Sequence, residues 1–339
     1  MPDEILNHIL SFIPIDLAIR TSVLSRRWRH AWCELPCLHL RTTGKGIDQT
    51  LLSYRRLKIM SFKLRVTHKV TEPQFNSWVE FAMSRNVGGA VSHRPFFLTY
   101  GFPDSFYLSS SLRQLKLVDF DMLPECTMSW NFLRRLTLSS CSLYDESIAN
   151  ILSGSPNLET LQLFYCGGLL KRLDLSQMEI VAPHIHYLNL KNSNVAPCTL
   201  VDVSSLADAI LCIGLNSIAR LLQNSPGLKK LEVHATYVSY ITDADLDAYL
   251  RISQGLDSDT CWRSKHEVFP TTSRMYSMSD CNDALKLLDS FLRLVLRNAK
   301  RLEKIVVRLG DSYFSDEQRE RLLMVGTLSP NNNVSIEFK

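Results

Sequence analysis

Apolar and polar positions follow two rhythms along this chain. Near the start, Ile5, Leu6, Ile9, Leu10 and Ile13 recur at helical spacing and predict a short helix with one apolar stripe. Pro2 suits its first turn, and Asp3 and Glu4 suit the positive end of its dipole. Pro14 ends it. Asp16 is read as the N-cap of a second helix, with Leu17, Val23 and Leu24 facing inward or toward a partner. Ser25 is read as the N-cap of a third, carrying Trp28 and Trp32 at i,i+4. A module this short cannot bury two tryptophans and a full stripe alone. Either a partner or the following domain covers that surface.

Further on, the phrase L-x-x-L-x-L-x-x-(N/C) takes over. It is clearest at Leu133, Leu136, Leu138 and Cys141, and again at Leu158, Leu161, Leu163 and Cys166. Weaker copies begin at Leu112, Leu170, Ile185, Leu228 and Leu302. Each predicts a strand with inward residues at alternate positions, followed by a turn. The steps from Leu115 to Leu136 to Leu161 fall within the roughly 20–29 residues of leucine-rich repeats. The fold class is therefore α/β: a three-helix module, then an irregular repeat solenoid with a parallel sheet. Cys141 and Cys166 take turn positions where the side chain satisfies backbone groups inside the coil.

The remaining segments are less regular. Strands are predicted over 61–66 and 95–100, a turn at Gly88-Gly89, and helices over 74–85 and 145–152. Residues 236–280 are rich in Ser, Thr and Asp and read as a long loop or insertion, either a binding element or a tolerated surface loop. An amphipathic helix is expected over 284–298 and a strand over 302–309. Ser315 with Gln318 reads as a capping box for a helix over 316–325, and 334–338 as an edge strand.

Composition narrows the class. The 339 residues are 45% hydrophobic and 21% charged, enough for two or three globular domains. A net charge of +4 is too small for a nucleic-acid footprint, but fits a mildly basic face meeting an acidic protein. No run approaches the ~18 apolar residues of a membrane span. The start lacks the basic and apolar regions of a signal peptide, so the expected location is nucleus or cytoplasm, with free thiols. Cys33, Cys37 and His39 are suggestive of zinc, but no second ligand pair follows. No cofactor is expected, and no phosphate-loop, zinc-protease or nucleophile-elbow motif occurs, so no enzyme is expected.

The runs Met1-Pro-Asp-Glu-Ile-Leu-Asn-His-Ile-Leu-Ser-Phe-Ile-Pro14 and Ala18-Ile-Arg-Thr-Ser-Val-Leu-Ser-Arg-Arg-Trp-Arg-His-Ala-Trp32 resemble the F-box of plant F-box/LRR proteins. Met1 stands where that family has Leu, and Ala31 replaces a usual Leu. The run from Phe291 to Val307 resembles the family's C-terminal FBD segment. The resemblance implies a substrate-recognition adaptor of an SCF-type ubiquitin ligase. Its F-box would bind a Skp-family adaptor, and through it cullin and RING subunits, while the repeats hold an unknown target protein. The implied contacts are Pro2, Ile5, Leu6, Ile9, Leu10, Ile13, Pro14, Leu17, Val23, Leu24, Trp28 and Trp32. Arg20, Arg26, Arg27 and Arg29 either steer toward an acidic adaptor or form a solvated face. The implied layout is F-box 1–40, divergent first repeats 41–110, repeats 111–235, insertion 236–280 and FBD-like cap 281–339. Two other functions remain open: a scaffold outside the ligase, or a small-molecule receptor using Lys63, Arg65 and Lys69 beside His68.

Overall fold

A strand with apolar residues at alternate positions has one face to hide, and a repeated strand hides it inside the coil that its neighbours extend. The computed structural model describes residues 3–41, 46–67, 70–93, 101–122, 127–143, 145–166, 179–181, 184–191, 199–211, 225–235, 301–309, 320 and 334–338. They fall in two compact units, Met1–Lys171 and Arg172–Lys339.

The first unit opens with α1 (Asp3–Ser11), α2 (Ile15–Arg20) and α3 (Trp28–Ala31), with 3-10 turns at Thr21–Val23 and Trp32–Glu34. There follow β1 (Cys37–Arg41), α4 (Ile47–Ser53), β2 (Ser61–Arg65), α5 (Glu72–Ser84), β3 (Gly89–His93), α6 (Asp104–Tyr107) and β4 (Gln114–Val118). Then come β5 (Asp121–Met122), β6 (Arg135–Ser139), β7 (Ser142–Leu143), α7 (Asp145–Gly154) and β8 (Thr160–Phe164). The sheet runs β1-β2-β3-β4-β6-β8, parallel throughout, and β5 pairs with β7 beside it.

The second unit holds β9 (Glu179–Val181), β10 (Tyr187–Lys191), β11 (Thr199–Asp202), β12 (Asp208–Leu211), β13 (Lys230–Ala235), β14 (Lys304–Leu309) and β15 (Ser335–Phe338). Strands β10-β12-β13-β14-β15 form a parallel ladder, and β9 pairs with β11.

One spacing unites the strands. Buried residues at i, i+3 and i+5 recur as Leu112, Leu115, Leu117, then Leu133, Leu136, Leu138, then Leu158, Leu161, Leu163. The register aligns Leu115, Leu136 and Leu161 across neighbouring strands, and Leu117 with Leu138 and Leu163. The same offsets occur at Leu35, Leu38, Leu40 and at Ile59, Phe62, Leu64. A degenerate version, Val87, Ala90 and Ser92, is also buried. In the second unit the offsets return at Ile185, Leu188, Leu190, at Leu206, Ala209, Leu211, at Leu228, Leu231, Val233 and at Leu302, Ile305, Val307.

Several expectations are corrected. A strand that the sequence reading lacks, β1, follows the three helices, because Leu35 to Leu40 is already a repeat phrase. The predicted turn at Gly88-Gly89 is instead the entry to β3, where Gly88 and Gly89 N–H groups donate to the Ile59 and Met60 carbonyls. Asp16 is not an N-cap: Pro14 holds that position, and Asp16 sits in the first turn. The third helix is a single turn capped by Arg27 without a side-chain bond, and Trp32 lies in the following 3-10 turn. The helix predicted over 74–85 begins earlier, at Glu72, because Thr71 and Gln74 form a reciprocal capping box. The copy at Leu170, the strand over 95–100, the insertion over 236–280 and the helices over 284–298 and 316–325 lie outside the described residues, Glu320 excepted.

Each clear strand ends on a left-handed residue. Asp119, Ser140 and Tyr165 have φ of 62°, 51° and 53°. The turn redirects the next side chain inward, and Phe120, Cys141 and Cys166 are all buried. The Asp119 and Ser140 N–H groups donate to the next coil's Ser139 and Phe164 carbonyls at 2.9 and 2.8 Å. Between sheet and helices, Phe102 stacks on Phe106 at 4.0 Å, and Phe75 and Phe120 complete the cluster. Buried Trp130 satisfies its indole N–H on the Phe106 carbonyl at 2.8 Å.

At Gly154 the coils approach too closely for a side chain. A Cβ there would lie 2.5 Å from the Met128 carbonyl oxygen, and the Gly154 carbonyl already accepts from Trp130 N–H. Gly154→Ala should therefore destabilise the first unit by about 1–3 kcal/mol, the usual cost of overpacking. A urea titration followed by tryptophan fluorescence measures it.

Candidate functional site

The helical module solves its burial problem with half of its apolar residues. Leu6 and Leu10 are 1% and 0% exposed, and Ile15, Ala18 and Trp32 are buried with them. The other half faces solvent. Ile5 is 46% exposed, Ile9 41%, Phe12 74%, Leu17 43%, Val23 88% and Leu24 64%. The single stripe expected over residues 5–13 is thus two stripes on α1. Leu6 and Leu10 face in, while Ile5, Ile9 and Phe12 lie at i, i+4 and i+7 and face out. Ile13 and Trp28 are half-buried and Pro14 is exposed; Pro2 lies outside the described residues.

Phe12 joins this outward stripe although the sequence reading does not single it out. Its signal was present, since 5, 9 and 12 share a helical spacing, but the inward residues mask it by alternating with the outward ones. Its ring meets His8 edge-on at 4.8 Å. The helix tightens as it ends, with Phe12 N–H donating to the Ile9 carbonyl and Ile13 N–H to the Leu10 carbonyl.

The basic residues divide as well. Arg27 donates from Nε and Nη2 to Asp3 Oδ1 at 2.9 and 2.8 Å, tying the start of α1 to the start of α3. Arg27 is therefore engaged within the module, while Arg20, Arg26 and Arg29 are exposed.

A clasp joins the end of the module, residues 33–35, to the segment that follows α4. The Cys33 carbonyl accepts from the Arg55 and Arg56 N–H groups, and the Glu34 carbonyl accepts from Arg56 Nη1 at 2.9 Å. Tyr54 donates its hydroxyl to the Leu35 carbonyl at 2.5 Å. Burial pushes the Tyr54 phenol up to about 12. Since the folded value lies above the ordinary 10, this contact stabilises fully below pH 10 and is lost as pH climbs toward 12.

The other chemistry-bearing residues resolve as structure. Cys141 donates to the Ser139 carbonyl at 3.4 Å, and Cys166 to the Leu138 and Phe164 carbonyls at 3.5 Å. A hydrogen bond with Cys166, reinforced by burial, holds the Cys141 thiol above its ordinary range. Cys33 is in the core, whereas Cys37 and His39 lie on the open side of β1. Among the described residues, no three His, Cys, Asp or Glu side chains converge to hold a metal. No described helix is long and apolar enough to cross a membrane. Lys63 and Arg65 are exposed on β2, while His68 and Lys69 lie outside the described residues. A cavity of about 480 Å³ is lined by Glu80, Ser84, Ser105 and Ser109 among others, and neither Lys63 nor Arg65 lines it.

Residues 1–40 match the F-box domain, and residues 75–217 match the model for the FBD-associated F-box protein At5g56370, LRR repeats. The chain is 44% identical to the putative F-box/LRR-repeat protein At5g02700 of Arabidopsis thaliana, covering 100% of this chain and 92% of that protein. This chain belongs to the plant F-box/leucine-rich-repeat family. The F-box/LRR-repeat protein At5g02910 is 35% identical over 100% of this chain and 94% of its own length. F-box/LRR-repeat protein 25, also from Arabidopsis, is 44% identical over 59% of this chain and 87% of itself. The alignment to At5g02700 runs over 434 positions against 339 residues here, so that F-box/LRR relative carries internal segments this chain lacks. The F-box match ends on β1, so in this member the F-box and the first repeat share residues 35–40.

Two measurements probe this construction. Thiol labelling mapped by mass spectrometry should modify Cys37 before Cys33, Cys141 and Cys166, because the last three are buried. Melting temperature followed against pH should fall between pH 10 and 12 in the wild type, and that alkaline leg should shrink in Tyr54→Phe.

Proposed function

We propose that this chain is the substrate-recognition subunit of an SCF-type E3 ubiquitin ligase. The F-box docks on a Skp-family adaptor, and through it on cullin and RING subunits. The repeats hold a target protein. The chain performs no bond chemistry of its own; it raises the effective concentration of target beside a ubiquitin-loaded enzyme. The work is done in the nucleus or cytoplasm.

The observation supporting docking most is the outward stripe. Ile5, Ile9, Phe12, Leu17, Val23 and Leu24 expose large apolar side chains within one short module. A contiguous apolar surface rimmed by polar residues marks an interaction site. In this reading the docking face comprises Ile5, Ile9, Leu17, Val23, Leu24, Pro14 and Phe12, with Pro2, Ile13 and Trp28 at its margin. Leu6, Leu10 and Trp32 act from beneath by holding the helices in place. Exposed Arg20, Arg26 and Arg29 assist encounter with an acidic adaptor.

The test separates face from support. Ile9→Asp with Val23→Asp should abolish co-elution with a Skp-family adaptor, because two carboxylates would enter an apolar interface. Since both positions are exposed, the melting temperature should stay within about 2 °C of wild type. Leu10→Asp should instead unfold the module. Adaptor co-elution of wild-type strength in the double variant would sink the docking assignment. Retention of adaptor without cullin would place the chain outside the ligase.

A further inference from the structure

The open face of the first unit's sheet carries cations and no acids. Strands β1, β2, β3, β4, β6 and β8 contain no Asp or Glu at any position. Their outward residues include Arg41, Lys63, Arg65, Lys116 and Arg135, all exposed. The parallel register then sets like beside like. Arg41 is directly across from Arg65, and His39 is across from Lys63. Lys63 is followed across the sheet by Val91 and then Lys116, and Arg65 by His93. Neighbouring strands lie about 4.8 Å apart, so these charges repel at short range.

Among the described residues only one acid answers them: Asp119 approaches His93 Nε2 at 3.5 Å. No described carboxylate pairs with the five Lys and Arg residues. His39 is held below its ordinary range by partial burial and then by Lys63 beside it, which leaves those five as the permanent charges.

The second unit has the same ladder and the opposite solution. Glu232 on β13 accepts from Arg308 on β14 at 2.5 Å and pairs with His234 at 3.0 Å. Burial would raise the Glu232 carboxyl, but these hydrogen bonds outweigh it and hold it below its ordinary range. Lys304 on β14 pairs with Glu337 on β15. One ladder neutralises itself, while the other keeps a costly row of like charge exposed.

We infer that the open face spanning β1 to β6 binds an acidic, extended stretch of polypeptide. The reading rests on the proposed receptor role and names the target's chemical class. The row from β1 to β4 is about 14 Å wide, the span of a stretch of four or five extended residues. A duplex nucleic acid fits less well, since tight binding there draws on about six to ten phosphate contacts. Single-stranded nucleic acid would want large stacking aromatics, and the outward positions of β1 to β4 hold no Phe, Tyr or Trp.

The experiment uses the full chain and a fluorescein-labelled octaglutamate peptide, read by anisotropy at low salt. Octaglutamate should bind and octaglutamine should not. Lys63→Glu with Arg65→Glu should weaken binding at least tenfold, and the milder Lys63→Gln with Arg65→Gln should weaken it in the same direction. Arg55→Glu with Lys58→Glu changes the net charge equally but alters exposed loop residues, and should shift affinity less than twofold. Equal loss in both charge-reversal variants, no binding at all, or tighter binding of an octathymidylate would overturn the inference. Adaptor co-elution, measured on the same variants, should be unchanged. Its failure in the wild type would count against the docking reading while leaving the anisotropy result to decide this one.

Discussion

Parallel register is the constraint from which the rest of this molecule follows. Hydrogen bonding that sets Leu115 across from Leu136 and Leu161 also sets Leu117 across from Leu138 and Leu163. A slip of one residue would turn every one of those leucines to solvent. Each buried leucine contributes roughly 1.5–3 kcal/mol, so the coils hold one another in register cooperatively. The left-handed turns at Asp119, Ser140 and Tyr165 belong to the same constraint. They return the chain toward the core at matching heights, and the Asp119 and Ser140 N–H groups extend the ladder beyond the strands.

Alternation has a second effect. Because inward positions are fixed as apolar, the outward positions are free to carry whatever function selects. The two units use that freedom differently. One carries Arg and Lys but no acid at its outward positions; the other interleaves Glu232 and Glu337 with Arg308 and Lys304. The helical module follows the same logic with a period of 3.6. Leu6 and Leu10 hold it together, and Ile9 and Phe12 remain outside for another protein.

Legibility in the sequence tracked regularity. The strands at Leu133 and Leu158 could be read directly because every key position is Leu. The strand at Ala209 and Leu211 escaped because alanine weakens the phrase, and β3 escaped because glycine, alanine and serine occupy its positions. Those strands exist through pairing with neighbours, which no local propensity reports. The first strand was hidden for another reason: the F-box pattern claims residues 35–40, so the repeat phrase inside it went unread. At the site, periodicity located the apolar residues of α1 but could not divide them between core and surface. That division depends on where α2 and the Trp32 turn sit, which is tertiary information. Arg27 likewise looked free until its pairing with Asp3 fixed it.

The left-handed turns at Asp119, Ser140 and Tyr165 also make length a negotiable property. A coil bounded by two such turns meets only its immediate neighbours, so its removal leaves flanking coils with surfaces that still match one another. Lineages can then shorten or lengthen the array without redesigning any core. This chain aligns over its whole length with Arabidopsis relatives of different length, covering 92% and 94% of two of them. Selection on what the array recognises can therefore proceed by splicing whole modules as well as by changing single side chains.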